Sequence, residues 1–234
     1  MVLSKYDDEL LLVWKDPETR NRFVIGRLWK NDNGYYFEYI RENEKERGSV
    51  DSAIRFGYEP FKRFSDLSKI YHSAALFIPF LNRLPVKERK NNPFELLKKT
   101  GGKLNTDTLE FMQGIEVKEK KRSVLFNIAG WRYYQGEKAL ENLEVGKRII
   151  LKLEKDNMYD SHAIEVWNKN ERYKLGYVPA IYSRYIDKLV EENCYDAVIK
   201  EVNPNQSADE IVKIEFTGIM VQPKITKLEI LKCN

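Results

Sequence analysis

Between Ser123 and Phe216 the chain repeats one kind of segment: short runs of β-branched, aromatic and aliphatic residues, broken by turn residues. They lie at Ser123 to Ala129, Arg148 to Leu153, Ala163 to Trp167, Lys174 to Val178, Ala197 to Val202 and Val212 to Phe216. Each has the length and composition of a strand. Six such strands in about a hundred residues predict a small β-barrel, because closing the sheet removes exposed edges. Two short helices interrupt the strands, one at Glu137 to Leu143 ending near Gly146 and one at Ala180 to Glu192. In the second, Ile181, Tyr185, Leu189 and Val190 form one apolar stripe.

The first half has a different texture. Strands are predicted at Leu10 to Trp14, Arg22 to Trp29 and Tyr35 to Ile40, with Asn33-Gly34 as a hairpin signal. Arg41 to Ser52 is polar and reads as a surface loop. A helix is expected from Ser65 as cap through Leu67, Ile70, Tyr71, Ala74 and Ala75, ended or kinked by Pro79. A second opens at Asn92-Pro93 and closes at Gly101-Gly102. The whole is therefore an α+β protein. Residues 1–114 make a small sheet with helices, 115–122 a charged linker, and 123–234 the barrel.

Charge narrows the possible ligands. Residues 1–114 carry 20 basic and 17 acidic side chains and 115–234 carry 20 and 19, an excess of +3 and +1. Neither half is a basic clamp, so a nucleic-acid site here is expected to be a small pocket that relies on stacking and shape. Cys194 and Cys233 stand far apart, no secretory pattern opens the chain, and no apolar run reaches the roughly 18 residues of a membrane helix. A reduced, cytoplasmic protein that does not span a membrane is the expectation.

Candidate site residues cluster in two places: Gly130-Trp131-Arg132-Tyr133-Tyr134, and Asp156 through Ile164 with Asn157, Tyr159, Asp160 and His162. Arginine forks onto phosphate and tyrosine stacks on bases. Each residue also has a plainer use. Tyr133 and Tyr134 alternate as on a strand, which puts one of them in the core. Asn157 and Asp160 can cap a turn, Arg132 can pair with a surface carboxylate, and Tyr177 beside Gly176 can be core or pocket wall.

These blocks, with Leu143 to Leu153 around Gly146 and Leu175-Gly176-Tyr177-Val178-Pro179, resemble the HIRAN domain over about residues 123–219. That module occurs in some chromatin- and fork-remodelling helicases and as small bacterial proteins. The resemblance implies an OB-like barrel that holds the 3′ end of single-stranded DNA. In that reading Arg132, Tyr133 and Tyr134 meet phosphate and terminal bases, and Tyr159 adds an aromatic wall. Asn157 and Asp160 face the last nucleotide. An Asp160 carboxylate would accept a hydrogen bond from a free 3′-hydroxyl and repel a phosphate. Three features depart from the pattern: Met158 replaces a proline, His162 replaces an asparagine, and Asn203 to Glu210 has no aromatic. The first two alter the pocket edge.

Leu12-Val13-Trp14, Gly26-Arg27-Leu28, Gly34 to Tyr39 and Pro93-Phe94-Glu95-Leu96-Leu97 resemble the N-terminal subdomain of HipA-type toxin kinases. This implies an alternative role, an antitoxin-like or protein-interaction regulator docking on a kinase or other partner. Catalysis is not expected. Thr100-Gly101-Gly102-Lys103 lacks the first glycine of a phosphate loop and reads as a helix C-cap. His72, His162 and the cysteines have no partners at ligand or catalytic spacing, so neither metal nor cofactor is expected.

Overall fold

The structure is a computed structural model that describes residues 3–41 and 49–220. Cys233, Gly48 and most of the loop expected at Arg41 to Ser52 lie outside the described residues; at the end of that range a helix, α1 (Val50–Arg55), begins. Strands β1 (Asp8–Lys15), β2 (Arg22–Asn31) and β3 (Gly34–Tyr39) form the expected meander. Asn31 pairs with Gly34 across the hairpin, and Gly34 takes the positive φ of 124° that the turn requires.

The helix expected from Ser65 does not form. A 3-10 turn at Lys62–Phe64 is followed by a turn in which the Asp66 carboxylate accepts from Ser68 N (2.9 Å) and Ser68 Oγ (2.7 Å). Such side-chain bonds compete with helical ones. The chain then runs as β4 (Tyr71–Ser73) along β3, with Phe37 opposite Tyr71. Pro79 lies in the first turn of α2 (Ile78–Leu81), where its missing N–H costs nothing. Helix α3 (Pro93–Thr100) has the foreseen caps: Asn92 Oδ1 accepts from Glu95 N, and Gly101 adopts φ 68°. Strand β5 (Leu109–Gln113), unforeseen, completes an antiparallel sheet in the order β4-β3-β2-β1-β5.

The charged segment read as a linker is a hairpin: β6 (Glu116–Lys118) pairs with β7 (Lys121–Asn127) across a turn in which Glu119 has positive φ. A 3-10 turn at Trp131–Tyr133 and the short α4 (Gly136–Ala139) follow. Next come β8 (Ile149–Leu153), β9 (Ile164–Asn168) and β10 (Lys174–Tyr177), then α5 (Ala180–Glu191), β11 (Tyr195–Val202) and β12 (Val212–Ile219). The strands form two sheets, β10-β9-β8 and β11-β12-β7-β6. Single-residue bridges join them at both seams, Ala129 with Tyr177 and Arg148 with Val198. The strands thus run round in the order β11-β12-β7-β10-β9-β8 and back to β11, a barrel held at its seams by two bridges.

Strand β1 explains how the halves meet. Side chains alternate between the faces of a strand, yet Glu9 through Trp14 are all buried. Leu10, Leu12 and Trp14 pack into an aromatic core with Phe37, Phe80, Phe94 and Phe111. Leu11 and Val13 point the other way, into a cluster that also holds Ile115, Phe126, Ile164, Tyr182 and Phe216 of the second half. The buried Tyr182 hydroxyl crosses the same boundary, donating to Gln113 O at 2.7 Å. Tyr182→Phe is expected to lower stability by about 1 kcal/mol, read from the urea midpoint, because it removes a hydrogen bond donated by a buried side chain.

Candidate nucleic-acid interface

Beyond β7, Ala129 makes its bridge to Tyr177, and Gly130 then turns the chain with φ 78° into the 3-10 turn. Trp131 goes inward and is 1% exposed, with its indole N–H donating to Glu137 Oε1 at 2.8 Å. Its ring lies over Gly136, where a Cβ would stand 2.4 Å from ring atoms. With tryptophan as the anchor, Arg132, Tyr133 and Tyr134 all stay outside the core; Tyr133 is 85% exposed. The strand-like alternation that would have buried one of the two tyrosines is absent because this segment is helical.

Tyr134 and Tyr177 meet edge to face at 5.4 Å. Between them stands Lys174, its ammonium 4.7 Å from the Tyr134 ring centroid and 4.2 Å from that of Tyr177. Lys174 also donates to the Tyr177 hydroxyl (2.7 Å) and pairs with Glu165. The Tyr177 hydroxyl donates to Glu154 Oε2 at 2.6 Å, and Asn157 Nδ2 donates to the same oxygen. Burial first, and then the hydrogen bond to Glu154, push the Tyr177 phenol well above its ordinary value, so it remains a donor. Glu154 is held below the usual carboxylate range by the bonds from Tyr177 and Asn157.

Asn157 and Asp160 shape the loop between β8 and β9. Asn157 Oδ1 accepts from Tyr159 N (2.9 Å) and Asp160 N (3.0 Å), and Asp160 Oδ1 accepts from His162 N. Two side-chain contacts tie the loop to α5: Ser183 Oγ donates to Asp160 Oδ2 at 3.2 Å, and His162 Nδ1 lies 2.7 Å from Asp187 Oδ2. The turn leaves Met158 and Tyr159 at its tip, Tyr159 95% exposed. The turn-capping reading of Asn157 and Asp160 therefore holds; Asn157 Oδ1 has both lone pairs in use, while each Asp160 oxygen accepts one bond and keeps an acceptor site in reserve.

The eight sequence-designated residues thus fall into three places. Tyr134, Tyr177 and Asn157 share one network; Tyr159, Asp160 and His162 lie on the loop braced by α5; Arg132 and Tyr133 face a different surface. Lys174 and Glu154, which join the first group, escaped sequence reading. On a regular strand residues three apart point to opposite faces. The register of β10 shifts between Lys174 and Gly176, and this bulge turns Lys174 toward Tyr177.

Arg132 and Tyr133 line an open cleft of about 960 Å³ between the first sheet and the barrel. Its floor includes Phe111, Phe126 and Tyr182. Lys15, Arg20 and Arg22 approach from the β1–β2 turn, and Lys98, Lys99 and Lys103 from the end of α3. Lys213 joins Arg132 on the barrel side. Gly101 lies here as the C-cap of α3, the role read from the sequence. Among the described residues, no three His, Cys, Asp or Glu side chains stand close enough together to share a metal ion. No described helix is long and apolar enough to cross a membrane.

No curated protein matches the chain. A protein from Lactobacillus plantarum of solved structure is 20% identical, covering 43% of this chain and 99% of its own, with a TM-score of 0.35. The HIRAN domain of human HLTF is 18% identical, covering 42% of this chain and 76% of its own, with a TM-score of 0.31. The family model of the HIRAN domain matches residues 121–218, which span β7 through β12. Over residues 121–218 this α+β chain is thus similar to the HIRAN domain.

Proposed function

We propose that the barrel binds nucleic acid without catalysing a reaction on it, and that its ligand is the 3′-terminated end of a single strand of DNA. One observation carries the reading: within a region similar to the HIRAN domain, a module type that generally binds nucleic acid, Tyr134 and Tyr177 flank the Lys174 ammonium. Tyr159, on the loop capped by Asn157, adds a nearly bare ring. Aromatic faces take bases of any sequence, and an ammonium between them takes the negative charge that accompanies a base. The carboxylates nearby work against a second phosphate. Glu154, Glu165 and Asp160 make this edge of the site poor ground for a strand that continues, and better ground for one that ends in a hydroxyl.

Fluorescence anisotropy with short single-stranded oligonucleotides ending in 3′-hydroxyl or 3′-phosphate tests the proposal. The hydroxyl end should bind more tightly. Tyr134→Ala or Tyr159→Ala should weaken binding by about 1–3 kcal/mol, roughly 5- to 150-fold. Asp160→Asn keeps an acceptor for His162 N and removes the charge, so it should narrow the preference for hydroxyl over phosphate. Equal affinity for the two ends in the unaltered protein would sink the end-recognition reading.

A further inference from the structure

The excess charge of the chain is concentrated where the halves meet. Lining the cleft are eight lysines and arginines and four carboxylates, Glu110, Glu201, Asp209 and Glu210, which leaves 8 − 4 = +4. That equals the net charge of the entire protein, so the remainder is neutral in sum. Several of the cleft cations are already occupied: Arg22 with Glu110 at 3.1 Å, Lys103 with Glu210 at 3.1 Å and Lys213 with Glu201 at 3.1 Å. Among the described residues, Lys15, Arg20, Lys99 and Arg132 have no carboxylate within 4.0 Å. Burial lowers the Lys15 ammonium, and Arg22 and Arg20 lower it further. Asp209 and Glu110 pull the other way without offsetting this, so like charges outweigh opposite ones around Lys15.

The local backbone shows that this clustering is built in. The Asp16 carboxylate accepts from Glu18 N (3.2 Å), Thr19 N (3.1 Å) and the Thr19 hydroxyl, fixing the β1–β2 turn. In that turn Arg20 adopts φ 65°, a left-handed conformation that costs a long side chain free energy. Lys98 and Lys99 also complement the negative end of α3. No such helix end accounts for Lys15, Arg20 or Arg132.

We propose that this cleft carries the sugar-phosphate backbone of a single-stranded nucleic acid, with Lys15, Arg20, Lys99 and Arg132 on phosphates and Tyr133 stacked on a base. The exposed ring favours nucleic acid over an acidic peptide, and it favours unpaired over paired bases, whose faces are covered. The site belongs to neither half alone: the first half supplies three of the four cations and the barrel supplies Arg132 and the ring. The inference rests on the preceding reading only in taking nucleic acid as the ligand, and it does not depend on recognition of an end.

The test uses the full chain and 5′-fluorescein oligothymidylates of about three and about fifteen nucleotides, a range that brackets the span of such sites. The longer strand should bind at least about tenfold more tightly. Arg20→Glu/Lys99→Glu, which alters two exposed side chains, should erase that gain and leave the short strand unaffected. Arg20→Ala/Lys99→Ala should reduce the slope of log affinity against log salt by about 1.4, the value for two phosphates on a single strand. The proposal is overturned if the long strand binds no better than the short one, or if the charge-reversed protein keeps its affinity and salt slope. Duplex bound as tightly as the long single strand overturns the assignment to unpaired bases. Equal affinity for 3′-hydroxyl and 3′-phosphate ends, with the long-strand gain still lost on charge reversal, would remove the end reading and support the cleft.

Discussion

Trp131→Ala should lower stability by about 3–5 kcal/mol, the usual cost of removing a large buried aromatic, and should also abolish binding at temperatures where the protein is still folded. The indole is the inward anchor of a turn whose other side chains all face solvent. Without it the turn loses its only buried side chain, and the backbone bond from Gln135 N to Lys174 O (2.9 Å) is left to hold Arg132 and Tyr133 toward the cleft and Tyr134 toward Lys174. Gly136 would then lie over a cavity instead of a ring. Urea denaturation gives the first effect and oligonucleotide anisotropy the second. Trp131→Phe separates them. It retains a ring against Gly136 and loses only the N–H donated to Glu137, so it should cost about 1–2 kcal/mol and keep most of the binding.

Gly176→Ala should be nearly as damaging, at roughly 2–6 kcal/mol from strain and overpacking together. Gly176 has φ 147°, and a Cβ there would lie 2.3 Å from Ala129 O and 2.8 Å from Ile128 Cγ2. Backbone cannot yield as a flexible side chain can. The displaced atoms belong to the bridge in which Ala129 and Tyr177 exchange two hydrogen bonds of 2.9 Å. That bridge is one of the barrel's two seams, so the substitution should raise amide hydrogen exchange at Ala129 and Tyr177 before it does so elsewhere. A urea midpoint close to that of the unaltered protein would show that the seam tolerates the methyl group.

Local signals carried the fold a long way. Asn92, Pro93 and Gly101 mark α3 to the residue because capping is decided within one turn of chain. The six strand-like runs of the second half all reappear as strands; burial alternates cleanly in β9 and β12 and is broken by the bulge in β10. The helix expected over Ser65 to Ala75 failed because Tyr71–Ser73 finds a partner in β3, and a distant partner leaves no mark on the segment itself. Of the candidate site, the sequence names residue types and says less about their arrangement. Lys174 reaches the tyrosines only through a bulge. The cleft was invisible for an arithmetical reason: its cations come from both halves, and an excess of +3 in one and +1 in the other looks like no patch at all.

Strand β1 feeds alternate side chains into two different cores. A strand in that position behaves as a party wall: neither dwelling can be pulled down without exposing the other. Leu11 and Val13 would face water if the barrel melted away, and Leu10, Leu12 and Trp14 would follow if the strand then left its sheet. Free energy gained by a ligand on one side of the wall is therefore felt on the other. A strand of DNA lying in the cleft would brace the aromatic core behind β1 as well as the barrel, although of that core's phenylalanines only Phe111 lines the cleft.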